Sequence, residues 1–286
     1  MLTLKAYAKI NLALDVLYKR SDGFHEVAMV MQAVSLCDTV SLTSYPGEII
    51  LTVSRADLPA DASNLAYRAA ALLKEYTGCR QGACITLDKQ IPLAAGLAGG
   101  SADAAAVLKG LNILWDLGLS GEELSRLAAR LGSDVPFCLC NGTMLATGRG
   151  EILSPLPPMP ACYVVLAKPP VEVPTAWVYQ QFKADRVAVR PDIAGMCKEL
   201  EQGSLAGVAG KLANVLENVT IPAHPEIARI KECMLEAGAM AALMSGSGPT
   251  VFGLAGSQDQ AEVIASRLKA EKVPEIFVAE TVWKME

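Results

Sequence analysis

Residues 92–106 read PLAAGLAGGSADAAA, with three glycines, one serine and one aspartate among small apolar residues. A run of this kind cannot fill a core by bulk. It forces the chain to bring backbone close to something, either its own neighbouring elements or a ligand. The pattern predicts a loop that passes into an alanine-rich helix over residues 101–114. Gly96, Gly99 and Gly100 allow backbone conformations and close approaches that a Cβ would forbid. Loop N–H groups and those of the first helical turn would then converge on one spot with the helix dipole behind them, an arrangement suited to phosphate. Tight packing of loop, helix and sheet accounts for the same residues without a ligand. The run is not a Walker A loop: Gly210-Lys211, the one Gly-Lys pair, is followed by Leu212. H-R-D and D-F-G are both missing, so protein-kinase chemistry is not indicated.

The chain has 286 residues, 52% of them hydrophobic and 19% charged, which is enough for a sizeable core and suits two domains. Its net charge of -5 argues against a nucleic-acid partner bound through a basic face. No apolar run reaches the roughly 18 residues of a membrane span, and the first residues make no convincing signal peptide, so a soluble cytoplasmic protein is expected. The eight cysteines include no C-x-x-C, and only Cys138 and Cys140 lie close together. They are expected to be small buried hydrophobes in a reducing compartment rather than metal ligands.

Strands are expected over 3–17, 47–53, 83–89, 162–168, 250–255 and 276–283. Helices are expected over 64–76 with Ser63 as N-cap, and over 101–114, 121–131, 175–183, 192–202, 225–237 and 258–272. The proline-dense stretch 153–161 reads as a linker, giving domains 1–153 and 162–286. Strands and helices mix without strict alternation, which favours α+β.

Four further stretches carry polar groups in unusual company. In AYAKINLAL, Lys9 and Asn11 share one face of an apolar strand, which is the pattern of a solvent face. In RLGSDVPFCL, Gly132 stops a helix and Ser133 or Asp134 can cap the next; capping accounts for Asp134, and a general base is the alternative. RSDGFHEV places Phe24 and His25 after a polar turn. A surface loop explains them, and so does a platform for a planar base. MSGSGPTVFGL is a second Ser/Gly-rich turn feeding a strand; the other histidine, His224, lies between prolines and reads as loop.

In order and spacing, AKIN, PLAAGLAGGSADAAA, GSDVPF and SGSGPTVFGL resemble the three-motif layout of the GHMP small-molecule kinases. The resemblance covers nearly the whole chain and is most specific in its first half, where KAYAKINLALDVLYKRSDGFHEV and LGSDVPFCL are similar to one branch of that superfamily. It implies a two-domain α+β fold with the active site in the cleft between the domains. It also implies an ATP-dependent kinase acting on the 2-hydroxyl of a cytidine diphosphate-linked methylerythritol in the non-mevalonate route to isoprenoids. Nucleic acid and membrane are not implied as partners, and the expected assembly is a monomer or weak homodimer. On this resemblance Pro92, Leu93, Ala94, Ala95, Gly96, Leu97, Ala98, Gly99, Gly100, Ser101 and Ala102 would wrap the ATP phosphates, with Ser101 near a Mg2+ ion. Lys9 and Asp134 match the catalytic pair. Asn11, His25 and Thr175 match substrate positions, Phe24 a cytosine-stacking aromatic, and Tyr179 a second aromatic wall. Two departures stand out: Ala102 replaces a second serine, and Phe24 stands where Tyr is common. A related kinase for a sugar, homoserine or mevalonate, a nucleotide-binding protein without catalysis, and a purely structural domain are the competing readings.

Overall fold

Two long strands, β1 (Leu2–Lys19) and β2 (His25–Tyr45), carry the chain through its fold. The structure, a computed structural model, describes residues 1–283; positions 284–286, which close the expected second domain, lie outside the described residues. The chain divides into two compact units that share both strands. One comprises Met1–Ala8, Cys37–Ile91 and Ala98–Cys140; the other comprises Lys9–Leu36, Pro92–Leu97 and Asn141–Glu286.

The first unit adds β3 (Ile49–Val53), α1 (Leu65–Thr77), β4 (Gly82–Asp88), α2 (Gly99–Leu114), α3 (Gly121–Leu131) and α4 (Val135–Cys140). Its strands lie in the order β3-β4-β2-β1, with β3 parallel to β4 and the C-terminal half of β2 antiparallel to it, Leu42 opposite Ile85. Helix α1 begins at Asn64, not Ser63. The Asn64 side chain accepts from Ala66 N–H at 2.9 Å, while Ser63 bonds Asp61. Gly78 ends the helix in the left-handed region. A reciprocal capping box of Ser120 and Glu123 starts α3 where its sequence predicts. Helix α2 lies close against the strands. A Cβ on Gly110 would come within 2.3 Å of Leu42 and 2.8 Å of Leu4, which is why a glycine sits in mid-helix.

A buried ion cluster stands among these elements. Lys89 Nζ donates to one oxygen each of Asp38 on β2 and Asp103 on α2, and all three side chains are almost fully shielded. Burial pushes the Asp103 carboxyl up to about 7 against the opposing pull of Lys89.

The second unit adds β5 (Thr143–Thr147), β6 (Ile152–Pro155), β7 (Tyr163–Lys168), α5 (Thr175–Gln181), α6 (Ile193–Glu201), α7 (Leu205–Gly210), β8 (Ala213–Asn214), α8 (Glu217–Ala223), α9 (Glu226–Glu236), β9 (Ala241–Met244), β10 (Val251–Ala255), α10 (Gln258–Ala270) and β11 (Glu275–Glu280). Strands β11-β7-β10-β9 form an antiparallel sheet against which α9 and α10 pack. Beside it, β5 pairs with β2 and β6, and β8 runs parallel to β1 with Ala13 opposite Ala213.

The proline-dense stretch lies inside this unit: residues 153–155 belong to β6, and Met159 is buried with its N–H on Thr143 Oγ1 at 2.9 Å. His224 lies between α8 and α9, outside both helices, as expected of a loop residue, while Pro222 falls inside α8. The eight cysteines are free; Cys138, Cys162 and Cys233 are buried, but Cys140 is exposed, contrary to the expectation for all eight. Among the described residues no helix is long and apolar enough to cross a membrane.

Candidate active site

Lys9 and Asn11 do not face solvent. Residues 8–16 of β1 are buried without interruption, so both faces of this strand are covered and the alternation that suggests a wet face is not used. An ammonium in such a place needs partners. Lys9 Nζ donates to Asn11 Oδ1 at 2.7 Å and to the Gly96 carbonyl at 2.9 Å, and Asn11 Nδ2 reaches Met29 Sδ at 3.5 Å. The main chain repeats the tie, with Lys9 N–H on the Leu97 carbonyl at 3.1 Å. One residue of β1 therefore holds the glycine-rich loop twice.

The loop itself differs from its expected form. Gly99 and Gly100 are the first residues of α2 and have ordinary helical backbones. The left-handed positions are Ala94 (φ 48°), Gly96 (φ 73°) and Ala98 (φ 59°), with Ala95 and Leu97 between them buried. An alternation of backbone hand turns successive N–H groups toward one side and makes a concavity for anions. The two alanines cost about 1–2 kcal/mol each relative to right-handed backbone, so the surrounding structure enforces the shape. Only Gly96 is required by contact. A Cβ there would lie 2.3 Å from the Ser245 carbonyl oxygen and 3.0 Å from that of Gly248. Ser101 is half-buried in the first turn of α2, and the Ala102 methyl is buried, so no second hydroxyl is offered there.

The neighbour against Gly96 is the second Ser/Gly turn, between β9 and β10. Ser245 Oγ donates to the Gly96 carbonyl at 3.0 Å, and a Cβ on Gly246 would stand 3.3 Å from both that oxygen and Lys9 Nζ. Asn214 at the end of β8 holds the turn from beneath, its Nδ2 on the carbonyls of Met244 and Gly246, both at 2.8 Å. Thr175 joins from α5, its Oγ1 2.9 Å from Ser247 Oγ. Lys9, Asn11, Gly96, Thr175 and the turn thus form one polar assembly. Sequence reasoning missed Asn214, although its signal equals that of Asn11: an amide inside an apolar stretch.

The aromatic residues divide. The turn before β2 is held by Arg20 Nη1 on Glu26 at 2.6 Å and by Phe24 N–H on Asp22 at 3.1 Å. It leaves Phe24 half-exposed with the Arg149 guanidinium 4.7 Å from its ring centre. The His25 ring pairs instead with Tyr179 on α5, centroids 5.3 Å apart at 39°. Burial, and secondarily Lys19, holds the His25 imidazole below its usual range and so favours its neutral form. Arg149 gave no signal in the sequence beyond a glycine-flanked turn.

Asp134 belongs to the first unit, Lys9 to the second. Asp134 immediately precedes α4 and its carbonyl accepts from Cys138 N–H at 3.2 Å, the backbone position of an N-cap. Among the described residues no group of three or more His, Cys, Asp or Glu side chains could hold a metal ion.

Comparison with known proteins places this geometry. Residues 64–142 match the GHMP kinases N terminal domain and residues 189–274 the GHMP kinases C terminal domain. A 4-diphosphocytidyl-2-C-methyl-D-erythritol kinase of Geobacillus kaustophilus (strain HTA426) is 54% identical over 255 residues, 88% of each chain. The enzyme of that name from Listeria monocytogenes serotype 4a (strain HCC23) is 49% identical over 269 residues, 94% of this chain and 92% of its own. A crystal structure of 4-(cytidine 5'-diphospho)-2C-methyl-D-erythritol kinase superposes with a TM-score of 0.82 at 35% identity, over 98% of this chain and 99% of that one. A homoserine kinase from Cytophaga hutchinsonii, at 24% identity and a TM-score of 0.77, shares the fold. The α+β chain, with its glycine-rich loop and its Lys9 assembly, belongs to the GHMP kinases.

Proposed function

We propose that this chain transfers the γ-phosphoryl group of ATP to the 2-hydroxyl of 4-diphosphocytidyl-2-C-methyl-D-erythritol, a step of the methylerythritol phosphate route to isoprenoids. The observation that carries the reading is the junction of Lys9 with the loop at Gly96 and the turn at Ser245, in a chain 49–54% identical to kinases of that name. The family halves are 1–153 and 162–286, on either side of the proline-dense stretch. The enzyme works in the cytoplasm as a monomer or weak homodimer.

The chemistry follows from the groups present. The loop from Pro92 to Ala102 receives the triphosphate on its N–H groups and on the start of α2. Ser101 would ligate the phosphate-borne magnesium ion, which supplies neutralisation of the phosphate charge. Asp134 accepts the hydroxyl proton while the substrate oxygen bonds the γ-phosphorus and the bond to the β-phosphate oxygen breaks, releasing ADP. Lys9, oriented by Asn11 Oδ1 and the Gly96 carbonyl, stabilises the charge that builds in transfer. Phe24 stacks on the cytosine, His25 hydrogen-bonds it, Tyr179 gives a second wall, and Thr175 and Asn11 contact the substrate. A phenylalanine at 24 keeps the stacking face without a phenol hydrogen bond.

Purified protein tested for ADP release with this alcohol, homoserine, mevalonate and galactose decides the reading. Turnover confined to the cytidyl alcohol supports it. Turnover with another alcohol, or with none, overturns it.

A further inference from the structure

We propose that Lys89 is a positioning residue for the phosphate loop: its buried ammonium ties the strand that enters the loop to the helix that leaves it. The inference rests on the reading of residues 92–102 as the ATP loop. Lys89 directly follows β4, three residues before Pro92; Asp103 lies in α2, five residues after Ala98. The Lys89 ammonium bonds Asp103 on one side and Asp38 on the other. Asp38 then fixes the entering stem by its second oxygen, which accepts from Gln90 N–H at 2.6 Å and Ile91 N–H at 2.8 Å. Lys89 N–H is itself held by Ser54 Oγ at 2.9 Å.

The two stems also touch. A Cβ on Gly99 would lie 3.0 Å from the Ile91 side chain and 3.5 Å from Lys89 Nζ. Every backbone N–H from 89 to 91 is thus bonded to a side chain of this region, and the first turns of the helix are drawn onto the same ammonium. A loop carrying two left-handed alanines holds its shape only while its ends are fixed. A pure stability device would not leave one oxygen of Asp103 without a hydrogen bond, since an apolar residue fills such a place at lower cost.

That contrast supplies the test. Asp103→Leu cuts the helix from Lys89 and leaves a balanced Lys89–Asp38 pair, so it folds and melts no lower than the unsubstituted chain. Its KM and Kd for ATP nevertheless rise, and kcat/KM for ATP drops by up to about 10²-fold, the scale of a misplacement of roughly 1 Å. Affinity for the cytidyl substrate stays within about twofold, as expected of an independent site. Asp103→Asn, whose amide oxygen still accepts from the ammonium, restores most of the ATP affinity. Lys89→Met shows the same ATP defect and also melts lower. The inference is overturned if Asp103→Leu binds ATP like the unsubstituted protein, or if both ligands weaken together. If the unsubstituted chain binds no ATP, the reading of the loop falls first, and this inference with it.

Discussion

Lys9 and Lys89 are both almost wholly buried, at 4% and 7% exposure, and both sit at apolar strands, yet their surroundings differ in kind. Lys89 is clasped by two aspartates, one of which, Asp38, also binds backbone, so its charge is spent inside the protein. Lys9 donates to an amide oxygen and to a main-chain carbonyl of the glycine-rich loop, so it ties β1 to that loop. The first arrangement builds a scaffold. The second stands where the loop, the second Ser/Gly turn and α5 meet, and under the proposed function its lysine is the group that meets charge developing on the substrate.

Replacing each lysine by Met sharpens the contrast most. Lys9→Met should lower kcat by about 10²–10³-fold, the scale of losing one preorganised donor. Lys89→Met should destabilise by about 3–5 kcal/mol, because it strands two buried carboxylates. Melting curves and steady-state rates on the same samples check both. Loss of stability in Lys9→Met with normal turnover would erase the distinction.

Next in size is Gly96. An alanine there must fit a Cβ 2.3 Å from the Ser245 carbonyl oxygen at a left-handed φ, so ATP affinity should fall by tenfold or more, roughly 1.4 kcal/mol. Gly100→Ala meets only Leu65 at 3.7 Å, in a helix where alanine is favoured, and should be neutral or slightly stabilising. Calorimetric titration with ATP distinguishes them; equal losses would mean that the glycines act by flexibility rather than by space.

These particulars show what the sequence reveals and what it hides. The capping box of α3 and the strand around Phe252 are local, and their positions are legible. The 21-residue β2 is not, because its pattern changes where the strand passes from one unit to the other. Two of the three left-handed loop positions, 94 and 98, went to alanines, because tertiary contact overrides the preference for glycine. Lys9 looked like a residue on a wet face, because nothing local tells that both sides of β1 are covered. Its role came from resemblance, and its burial from the structure. Lys89 and Asp103 gave no signal, since an ion cluster assembled from residues 38, 89 and 103 has no local spacing.

Smaller effects probe the aromatic side. Phe24→Ala should remove about 1–3 kcal/mol of affinity for the cytidyl substrate, as stacked aromatics do elsewhere, and leave ATP binding unchanged. An equal loss for both ligands would place Phe24 outside the cytosine site. His25 offers a pH signature. Its folded-state value is depressed by burial, so the unfolded chain takes up a proton first as pH falls. Its contribution to stability is present above the ordinary value of 6.5 and is lost as pH drops through and below it. His25→Phe should flatten this acid limb in melting temperatures between about pH 7 and 5, by at most a few degrees for a chain of this size.

The most direct test of the central claim is turnover of Asp134→Asn with ATP and 4-diphosphocytidyl-2-C-methyl-D-erythritol, measured beside its melting curve. Asparagine caps a helix about as well as aspartate, so stability should hold. The amide cannot take the proton of the hydroxyl, so kcat should fall by about 10²–10⁴-fold. Near-normal turnover in a normally melting Asp134→Asn would contradict the account and leave Asp134 a helix cap.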